Sequence, residues 1–344
     1  MEQQMKELLD NREPSTSLQR DKQRLYRSVF EYTKTETWTC AWKLNPLEMS
    51  AYEATQHIFQ KIFKCTQHPI SQEILLNQNV FKRRLEKKLQ EYSEYKHLPD
   101  VLTDGSLQGF HDMPHEYVIN NGNPIIVSKP RVKSLNKFLE SVSSEITNNI
   151  ENVLEVFYLI YKSLLPEDSE ELCYRLIEAH ILEPLWPSFI SLFRISNISS
   201  EYKISRTIKY SETCNARKFG VTKVFIEDID KGFIQVCREC VIVLKKLPNH
   251  ISLNEKLKIL VEVCQAICGT SSPTSENQGK LGADDLMPLL CYVIVQSGMP
   301  QLGSECYAIE QLFNMKYSFG EEGYALSSFL TALKYIEFRV GVED

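Results

Sequence analysis

The chain has 344 residues, of which 39 are Lys or Arg and 45 are Asp or Glu, for a formal net charge of −6. Its 13 glycines are about 4% of the residues, below the ~7% that is typical of proteins. The low glycine content disfavours turn-rich all-β folds and glycine-cradled phosphate sites, and the acidic balance disfavours general nucleic-acid binding. At ~100–200 residues per domain, the length allows one large domain or two ordinary ones.

Secretion and membrane insertion are not expected from the sequence. Residues Met1 to Lys6 contain no apolar core of the kind found in signal peptides. The longest nearly unbroken apolar run, Leu286 to Val295, is about half the length of a membrane span. We therefore expect a soluble, cytoplasmic protein with at most peripheral membrane association, whose ten cysteines are reduced thiols.

Residues 1–134 are predicted to form an N-terminal helical, partly disordered region that ends in a linker. Apolar residues recur at helical spacing from about 48 to 93, and they include Leu75, Leu76 and Val80. The basic run from Lys82 to Lys88 is typical of a solvated helix face, with a lipid or nucleic-acid patch as the alternative. Turn residues dominate 95–134, where residues 118–127 could form one small hairpin.

Residues 135–341 are predicted to be almost entirely helical. Apolar residues at helical spacing run through 135–165 and 169–186, and turn residues end each of these segments. Further helices are expected at 187–194, 200–214, 226–246, 252–269, 283–297, 304–315 and 325–339. No period of 20–50 residues repeats. The predicted fold class is all-α, a layered helical bundle followed by a further helical domain.

The cysteine pattern resembles a metal or redox site only weakly. Cys237 and Cys240 form a lone CxxC, and a structural zinc site needs a second ligand pair. Cys264 and Cys268 are available, but they lie four apart inside an apolar helix. Packing of these thiols as small apolar groups is the favoured interpretation, and a zinc or redox protein is a remote alternative.

The histidines give no clear catalytic or metal signal. His111 and His115 flank Pro114 in a turn-rich segment, which argues against a helical metal pair. His180 lies on an apolar helix and is interpreted as a core histidine. No GxSxG or HExxH string occurs. We therefore expect no bound metal or cofactor and no covalent chemistry.

The segment that begins at Asp284 is more informative. Asp284 and Asp285 precede the apolar run to Val295, which is apolar on all sides and therefore predicts a buried central helix. The simplest role for the two carboxylates is to cap that helix and complement its dipole. Pro288 is unusual, because it falls about one turn into the helix, near the last position that tolerates a missing amide.

A second unusual segment is Gly-Glu-Glu-Gly-Tyr at 320–324, where two glycines bracket a pair of glutamates and an aromatic residue comes next. The simplest interpretation is a helix entry with Ser327 as the N-cap.

With these segments in order, the sequence resembles the vacuolar-protein-sorting-nine (VPS9) domain, a helical domain that acts as a guanine nucleotide exchange factor on Rab GTPases of the Rab-five subfamily. The clear resemblance covers about 170–341. It is carried by Ala-Asp-Asp-Leu-x-Pro at 283–288, Gly-Met-Pro-Gln-Leu at 298–302, Gly-Glu-Glu-Gly-Tyr at 320–324, Glu255-Lys256-Leu257, and Ile181 to Pro187 with Phe219-Gly220-Val221.

The resemblance implies a role for each matching residue. Asp284 corresponds to an acidic finger that pairs with the P-loop lysine of the GTPase and repels the phosphate, and Tyr324 corresponds to a switch-contacting residue. The remaining partner-binding positions that it implies are Asp285, Pro288, Glu321, Gly323 and Ser327. Two positions depart from the family pattern: Ala325, where a second aromatic is frequent, and Ser327, where threonine is usual.

The resemblance also implies the setting in which the protein acts. The expected partner is a Rab-five-type GTPase, GDP-bound or nucleotide-free, in endocytic vesicle trafficking. The expected location is the cytoplasm, with recruitment to endosomal membranes. The alternative is a helical adaptor that binds a Rab GTPase without exchange, for which Ala325 is the small argument.

Overall fold

The computed structural model describes residues 17–34, 50–93, 129–162, 165, 169–211, 219, 221, 233–269, 283–314 and 320–339. Within these ranges the regular structure is α-helix and one short 3-10 helix, with no β-strand, which confirms the all-α prediction. The hairpin predicted at 118–127 lies outside the described residues.

The described part of the chain contains eleven α-helices. In chain order they are α1 (Ser17–Thr33), α2 (Ala51–Lys64), α3 (Pro69–Glu91), α4 (Lys129–Tyr161), α5 (Glu170–Leu182), α6 (Trp186–Ser211), α7 (Phe233–Leu244), α8 (Leu253–Cys268), α9 (Ala283–Ser297), α10 (Leu302–Leu312) and α11 (Glu321–Arg339), with a 3-10 turn at Leu247–Asn249 between α7 and α8.

The helical stretch predicted at 48–93 is two helices, α2 and α3. Ser50 caps α2 with a capping box: its hydroxyl accepts the Glu53 amide at 3.3 Å, and the Glu53 carboxylate accepts the Ser50 amide at 2.9 Å. The chain leaves the helical conformation at Cys65 and starts α3 at Pro69, because proline is well suited to the first position of a helix.

The chain divides into two compact units. Unit 1 is drawn from residues 1–84 and 145–185, and unit 2 from residues 85–144 and 186–344. Each unit buries its own apolar core. The sequence-based division at 134/135 into an N-terminal region and a C-terminal exchange domain stays a prediction.

Unit 1 is built around an aromatic core. The rings of Phe59 and Phe157 stack with centroids 4.2 Å apart. Phe63 stacks on the half-buried imidazole of His180 at 4.0 Å, and the backbone carbonyl of His180 accepts a hydrogen bond from the Gln78 side chain at 2.8 Å. His180 therefore packs as the core histidine that the sequence predicted.

His68 is a second histidine of this core, and it is fully buried. Its Nδ1 accepts the Ile70 amide at 3.1 Å, so the neutral ring carries its proton on Nε2, which donates to the Tyr161 hydroxyl oxygen at 2.9 Å. The bond that Nδ1 accepts requires the uncharged imidazole, because both ring nitrogens of a protonated histidine are donors. Burial lowers the pKa of His68 to about 4.

We expect unit 1 to lose stability as the pH falls from about 6.5 to about 4. In that interval the unfolded chain binds a proton at His68 and the folded chain does not, so the free energy of unfolding should drop by about 3 kcal/mol. Urea unfolding at several pH values, with hydrogen exchange of α2 and α3 peptides, measures the drop. Burial also raises the pKa of Glu178, to about 8, so this residue contributes to the pH dependence as well. The difference between the unmodified chain and His68→Gln gives the contribution of the histidine alone. An unchanged pH profile in that variant would contradict this account.

Unit 2 has α9 at its centre. This helix packs against α6, α7, α8 and α11, and its residues from Leu286 to Val295 are mostly buried. That confirms the central helix predicted from its all-round apolar character. Gly298 comes after α9 with φ of 67°, a conformation that glycine adopts without strain, and ends the helix as predicted. No helix in the described ranges is both long enough and apolar enough to cross a membrane.

The helix α6 is held against the C-terminal end of α11 by polar contacts. The Glu337 carboxylate accepts the Ser200 hydroxyl at 2.9 Å and pairs with the Lys203 ammonium at 3.1 Å. The Thr207 hydroxyl donates to the Ile336 carbonyl at 3.2 Å. Because α11 carries Tyr324 at its other end, these contacts fix the helix on which that residue stands.

Candidate functional site

The two aspartates stand in the first turn of α9. The helix begins at Ala283, so Asp284 and Asp285 are its second and third residues. Their side chains lie outside the described residues. Carboxylates in a first helical turn are stabilised by the positive end of the helix dipole. The predicted placement at the start of a rigid, buried helix is confirmed for the backbone of both residues.

Pro288 lies inside α9 rather than at its entry. It is the sixth residue of the helix, because α9 starts one residue before Asp284. A proline here has no amide to donate to the carbonyl of Asp284, four residues earlier. The helix therefore lacks one ladder bond beside the predicted acidic finger, and the Pro288 side chain is only half-buried.

The glycine-glutamate segment is the first turn of α11 and not a loop before it. Gly320 has φ of 85°, and its carbonyl accepts the Tyr324 amide at 3.2 Å. The helix consequently starts at Glu321, four residues before the predicted start at 325. Ser327 as N-cap was therefore wrong: it is the seventh helical residue, and its hydroxyl donates to the Tyr324 carbonyl at 2.9 Å.

Tyr324 is a large aromatic side chain left on the surface. It is 53% exposed, although it stands on a helix that packs in the centre of unit 2. Ser327 and Thr331 continue the same exposed side at helical spacing, and the Thr331 hydroxyl donates to the Ser327 carbonyl at 2.8 Å. Ala325 points the other way and is 1% exposed. A larger aromatic residue at position 325 would therefore change the packing beneath the surface that carries Tyr324, and not the surface itself.

Glu321 connects this surface to α8. The Gln265 side-chain amide, near the end of α8, donates to the Glu321 carboxylate at 2.6 Å, and both side chains are exposed. Gly323, also in the first turn of α11, is half-buried. Among the predicted partner-binding residues, Glu321, Gly323, Tyr324 and Ser327 are thus brought together within two turns of one helix.

The helices that carry the two motifs lie side by side. The Cys291 thiol in α9 donates to the Ala332 carbonyl in α11 at 3.9 Å. At 1.5 Å per residue, Asp284 lies about 10 Å along α9 from this contact, and Tyr324 lies about 12 Å along α11. Both motifs therefore belong to the first turns of two neighbouring helices in one compact unit.

A buried ion pair supports this arrangement from within. Lys256 on α8 is fully buried, and its ammonium donates to the Glu305 carboxylate at 2.8 Å and to the Leu247 carbonyl at 3.0 Å. It also lies 4.7 Å from the ring centroid of Trp186. Burial lowers the pKa of Lys256, and the Glu305 carboxylate opposes that shift. The pair joins α8 to α10.

A second buried acid lies close to this pair. Ser304, next to Glu305 on α10, donates its hydroxyl to the Glu201 carboxylate of α6, and the Arg194 guanidinium lies 3.6 Å from the same oxygen. Burial raises the pKa of Glu201 to about 7. We call Arg194, Glu201, Lys256, Ser304 and Glu305 the polar core cluster. These residues were not predicted from the sequence to interact. The feature that could have indicated the cluster is the presence of polar side chains on the buried faces of apolar helices.

The cysteine and histidine alternatives receive no support from the described residues. Cys237, Cys240 and Cys264 are buried, and burial raises the pKa of Cys240 to about 11, which keeps the thiol protonated at neutral pH. The Cys240 thiol points to the Val263 carbonyl at 3.9 Å. The described part of the chain has no group of three or more His, Cys, Asp or Glu side chains that could hold a metal ion. His111 and His115 lie outside it.

Comparison with known proteins gives a family match over the helices of the candidate site. Residues 237–338 match the family model of the Vacuolar sorting protein 9 (VPS9) domain, a range that runs from α7 into α11 and includes both Asp284 and Tyr324. The segment 170–236, which was also predicted to resemble this domain, lies before the matched range and contributes α6 to the same compact unit.

Similar proteins are longer than this chain. VPS9 domain-containing protein 1 of Homo sapiens is 30% identical over 220 residues, which are 58% of this chain and 34% of that protein. Ras and Rab interactor 2 of Homo sapiens is 26% identical over 180 residues, 51% of this chain and 19% of that protein. Receptor-mediated endocytosis protein 6 of Caenorhabditis briggsae is 32% identical over 94 residues, 27% of this chain and 8% of that protein. The chain thus spans about a third of the first relative and less of the others.

The order of the motifs, the helices that carry them and the matched family model agree. In the sequence, the string Ser304-Glu305-Cys306 after Gln301-Leu302 suggests VPS9 domain-containing protein 1 as a relative, and the comparison confirms a similarity to that protein. Residues 237–338 of this chain are a VPS9 domain.

Proposed function

We propose that this protein is a guanine nucleotide exchange factor that promotes GDP release from a Rab GTPase of the Rab-five subfamily in endocytic vesicle trafficking. The observation that carries the proposal is the VPS9 domain at 237–338, which contains both Asp284 and Tyr324. The names of two similar proteins, a Ras and Rab interactor and a receptor-mediated endocytosis protein, support the partner class and the pathway.

In this mechanism Asp284 weakens the hold of the GTPase on its nucleotide. A small GTPase binds the phosphates of GDP through its P-loop lysine and a magnesium ion. A carboxylate brought to that site attracts the lysine and repels both the phosphate oxygens and the metal-bound nucleotide. The start of α9 suits this role, because the helix behind it is buried and holds the carboxylate on a rigid support. The exchange factor needs no cofactor and forms no covalent bond.

Tyr324 would hold the switch region of the same GTPase. Its ring offers apolar area and its hydroxyl offers a hydrogen bond, a combination that is enriched at interface hot spots. The exposed Glu321 and Ser327 extend that contact along the first two turns of α11, and Gly323 lets the partner backbone approach closely. Asp285 and Pro288 complete the contact on α9. The GTPase is engaged in its GDP-bound and nucleotide-free states.

The direct test is release of labelled GDP from a panel of purified endosomal Rab GTPases, with and without the full chain. We expect faster release from a Rab-five-type member. If a Rab binds but no panel member releases GDP faster, the chain is a helical adaptor and the exchange proposal is wrong. The adaptor alternative was suggested by Ala325, but this side chain is buried and offers no contact area to a partner in either role.

The contribution of Tyr324 can be separated from that of the carboxylate. Because the ring is 53% exposed, Tyr324→Ala should leave the fold intact and remove about 2 kcal/mol of contact energy. That corresponds to about a thirtyfold lower kcat/KM for GDP release. Tyr324→Phe should lose much less. The matched control is Tyr335→Ala on the same helix, also exposed but outside the motif; equal losses in both alanine variants would contradict the assignment.

Recruitment to endosomal membranes is part of the same proposal. The GTPase partner is presented at that membrane, and the chain would reach it as a peripheral protein. Attachment through a partner or through a surface of the folded chain is the form of recruitment that we propose.

A further inference from the structure

The helix α3 leaves three large aliphatic side chains in solvent. Leu75 is 57% exposed, Leu76 is 55% exposed and Val80 is 44% exposed. They were part of the apolar spacing that predicted a helix here, and the structure leaves these three outside the core. Ile74 and Phe81 on the opposite side fill the core of unit 1 instead. A surface helix with solvent on one side seldom groups its exposed aliphatic residues in this way.

Two basic residues adjoin these side chains. Lys82 and Arg83 are exposed and make no ion pair with any residue in the described ranges. The next residue, Arg84, behaves differently, because its guanidinium forms two hydrogen bonds with the Glu145 carboxylate. The charges of Lys82 and Arg83 are thus available to a ligand.

We call Leu75, Leu76, Val80, Lys82 and Arg83 the α3 outer face. At 3.6 residues per turn these five positions fall within about 160° of the helix circumference. Between positions 72 and 83 the carboxylate is Glu73, which lies 3.7 Å from the Arg24 guanidinium of α1. One turn beyond Lys82 and Arg83 the exposed Glu86 lies on the same side of the helix, and the exposed Lys87 that follows it offsets its charge. The face therefore combines apolar side chains with an excess of positive charge.

We infer that the α3 outer face binds the surface of an anionic lipid membrane, with Leu75, Leu76 and Val80 entering the acyl boundary and Lys82 and Arg83 at the headgroups. Lipid suits it better than a protein for two reasons. The exposed apolar residues are Leu and Val, which are under-represented at protein hot spots, whereas aromatic residues are enriched there. The face is also a convex helix ridge, which a deformable bilayer can accommodate and a protein could meet only with a matching groove.

This inference deepens the proposed membrane recruitment and is independent of nucleotide exchange. All five residues belong to unit 1, whereas the VPS9 domain belongs to unit 2. Variants of the α3 outer face should therefore leave GDP release in solution, without vesicles, unchanged. Failure of exchange and failure of lipid binding can be told apart.

The experiment is flotation of the full chain with vesicles of phosphatidylcholine alone or with about 30% phosphatidylserine. We expect binding to the anionic vesicles only, weakened by raising the salt concentration from about 0.1 to about 0.5 M. Replacing both bases, Lys82→Gln with Arg83→Gln, should weaken binding about 25-fold, at about fivefold per charge. Leu76→Asp should abolish it. Arg83→Lys should retain it.

The matched control is Ile242→Asp, which adds the same charge at another exposed aliphatic residue, 60% exposed on α7. That variant should bind vesicles like the unmodified chain. Circular dichroism checks that each variant is folded. Absence of binding to anionic vesicles, equal binding to neutral ones, or binding that survives Leu76→Asp would each overturn the inference.

Discussion

Replacing Asp284 by alanine is expected to remove most of the acceleration of GDP release, about a hundredfold in kcat/KM. The magnitude is that of losing one preorganised electrostatic group aimed at the charge that must be displaced, which typically costs 10²–10³-fold. Asp284→Asn keeps the shape of the side chain and should be nearly as defective, because the proposed role depends on negative charge. Stopped-flow release of labelled nucleotide from a Rab-five-type GTPase provides the measurement.

The structure provides a matched control for that experiment. Asp285 is the next residue of the same first helical turn, so Asp285→Ala removes an equal charge from an adjacent position. It should lower the rate by much less than Asp284→Ala. Loss of a first-turn carboxylate costs a helix about 1 kcal/mol or less, so both variants should stay folded. If the two variants were equally active, Asp284 would not be the acidic finger.

The second large effect concerns stability. Lys256→Met should lower the free energy of unfolding by about 3–5 kcal/mol, because it leaves the Glu305 carboxylate buried without its ammonium partner. The variant also loses the hydrogen bond to the Leu247 carbonyl. Denaturant unfolding monitored by circular dichroism and tryptophan fluorescence measures the change, since Trp186 lies against the Lys256 ammonium.

Two further variants show whether the cost comes from the unpaired charge. Lys256→Met combined with Glu305→Leu should recover most of the lost stability, because a buried ion pair replaced by apolar side chains is often neutral overall. Lys258→Met, on the exposed side of the same helix, should change the free energy of unfolding by less than about 0.5 kcal/mol. A double variant as unstable as Lys256→Met alone would show that lost packing, not the orphaned carboxylate, sets the cost.

The helices that the sequence predicted best are those with strong periodicity and clear ends. Residues 252–269 and 283–297 were expected, and the structure has α8 at Leu253–Cys268 and α9 at Ala283–Ser297. In both cases the apolar spacing and the turn residues at the ends indicate the same helix bounds. The packing of each helix in the folded chain keeps those bounds.

One helix was expected as two pieces. Segments 187–194 and 200–214 were predicted as separate helices, yet α6 runs unbroken from Trp186 to Ser211, through the Ser and Asn residues that lie between them. The Asn197 side chain donates to the Phe193 carbonyl at 2.9 Å within the helix. Polar side chains that compete with the backbone in a loop can therefore support a helix when its apolar face is buried.

The candidate site was predicted in composition but not in geometry. Asp284, Pro288 and Tyr324 were identified from their motifs. The structure assigns Asp284 and Tyr324 to the first turns of two adjacent helices and Pro288 to the second turn of α9. The start of α11 at Glu321 was missed, because the two glycines disfavour a helix interior, although paired glutamates suit a first helical turn. The left-handed backbone at Gly320 begins the helix before those residues.

The amino-acid sequence by itself determined the all-α class, the central position of α9 and the order of the VPS9 motifs. These depend on local periodicity and on short strings of residues. Only the tertiary structure decided that Lys256 meets Glu305 in the core and that Leu75, Leu76 and Val80 face solvent. Periodicity defines the faces of a helix, whereas burial depends on which distant segments pack against each face.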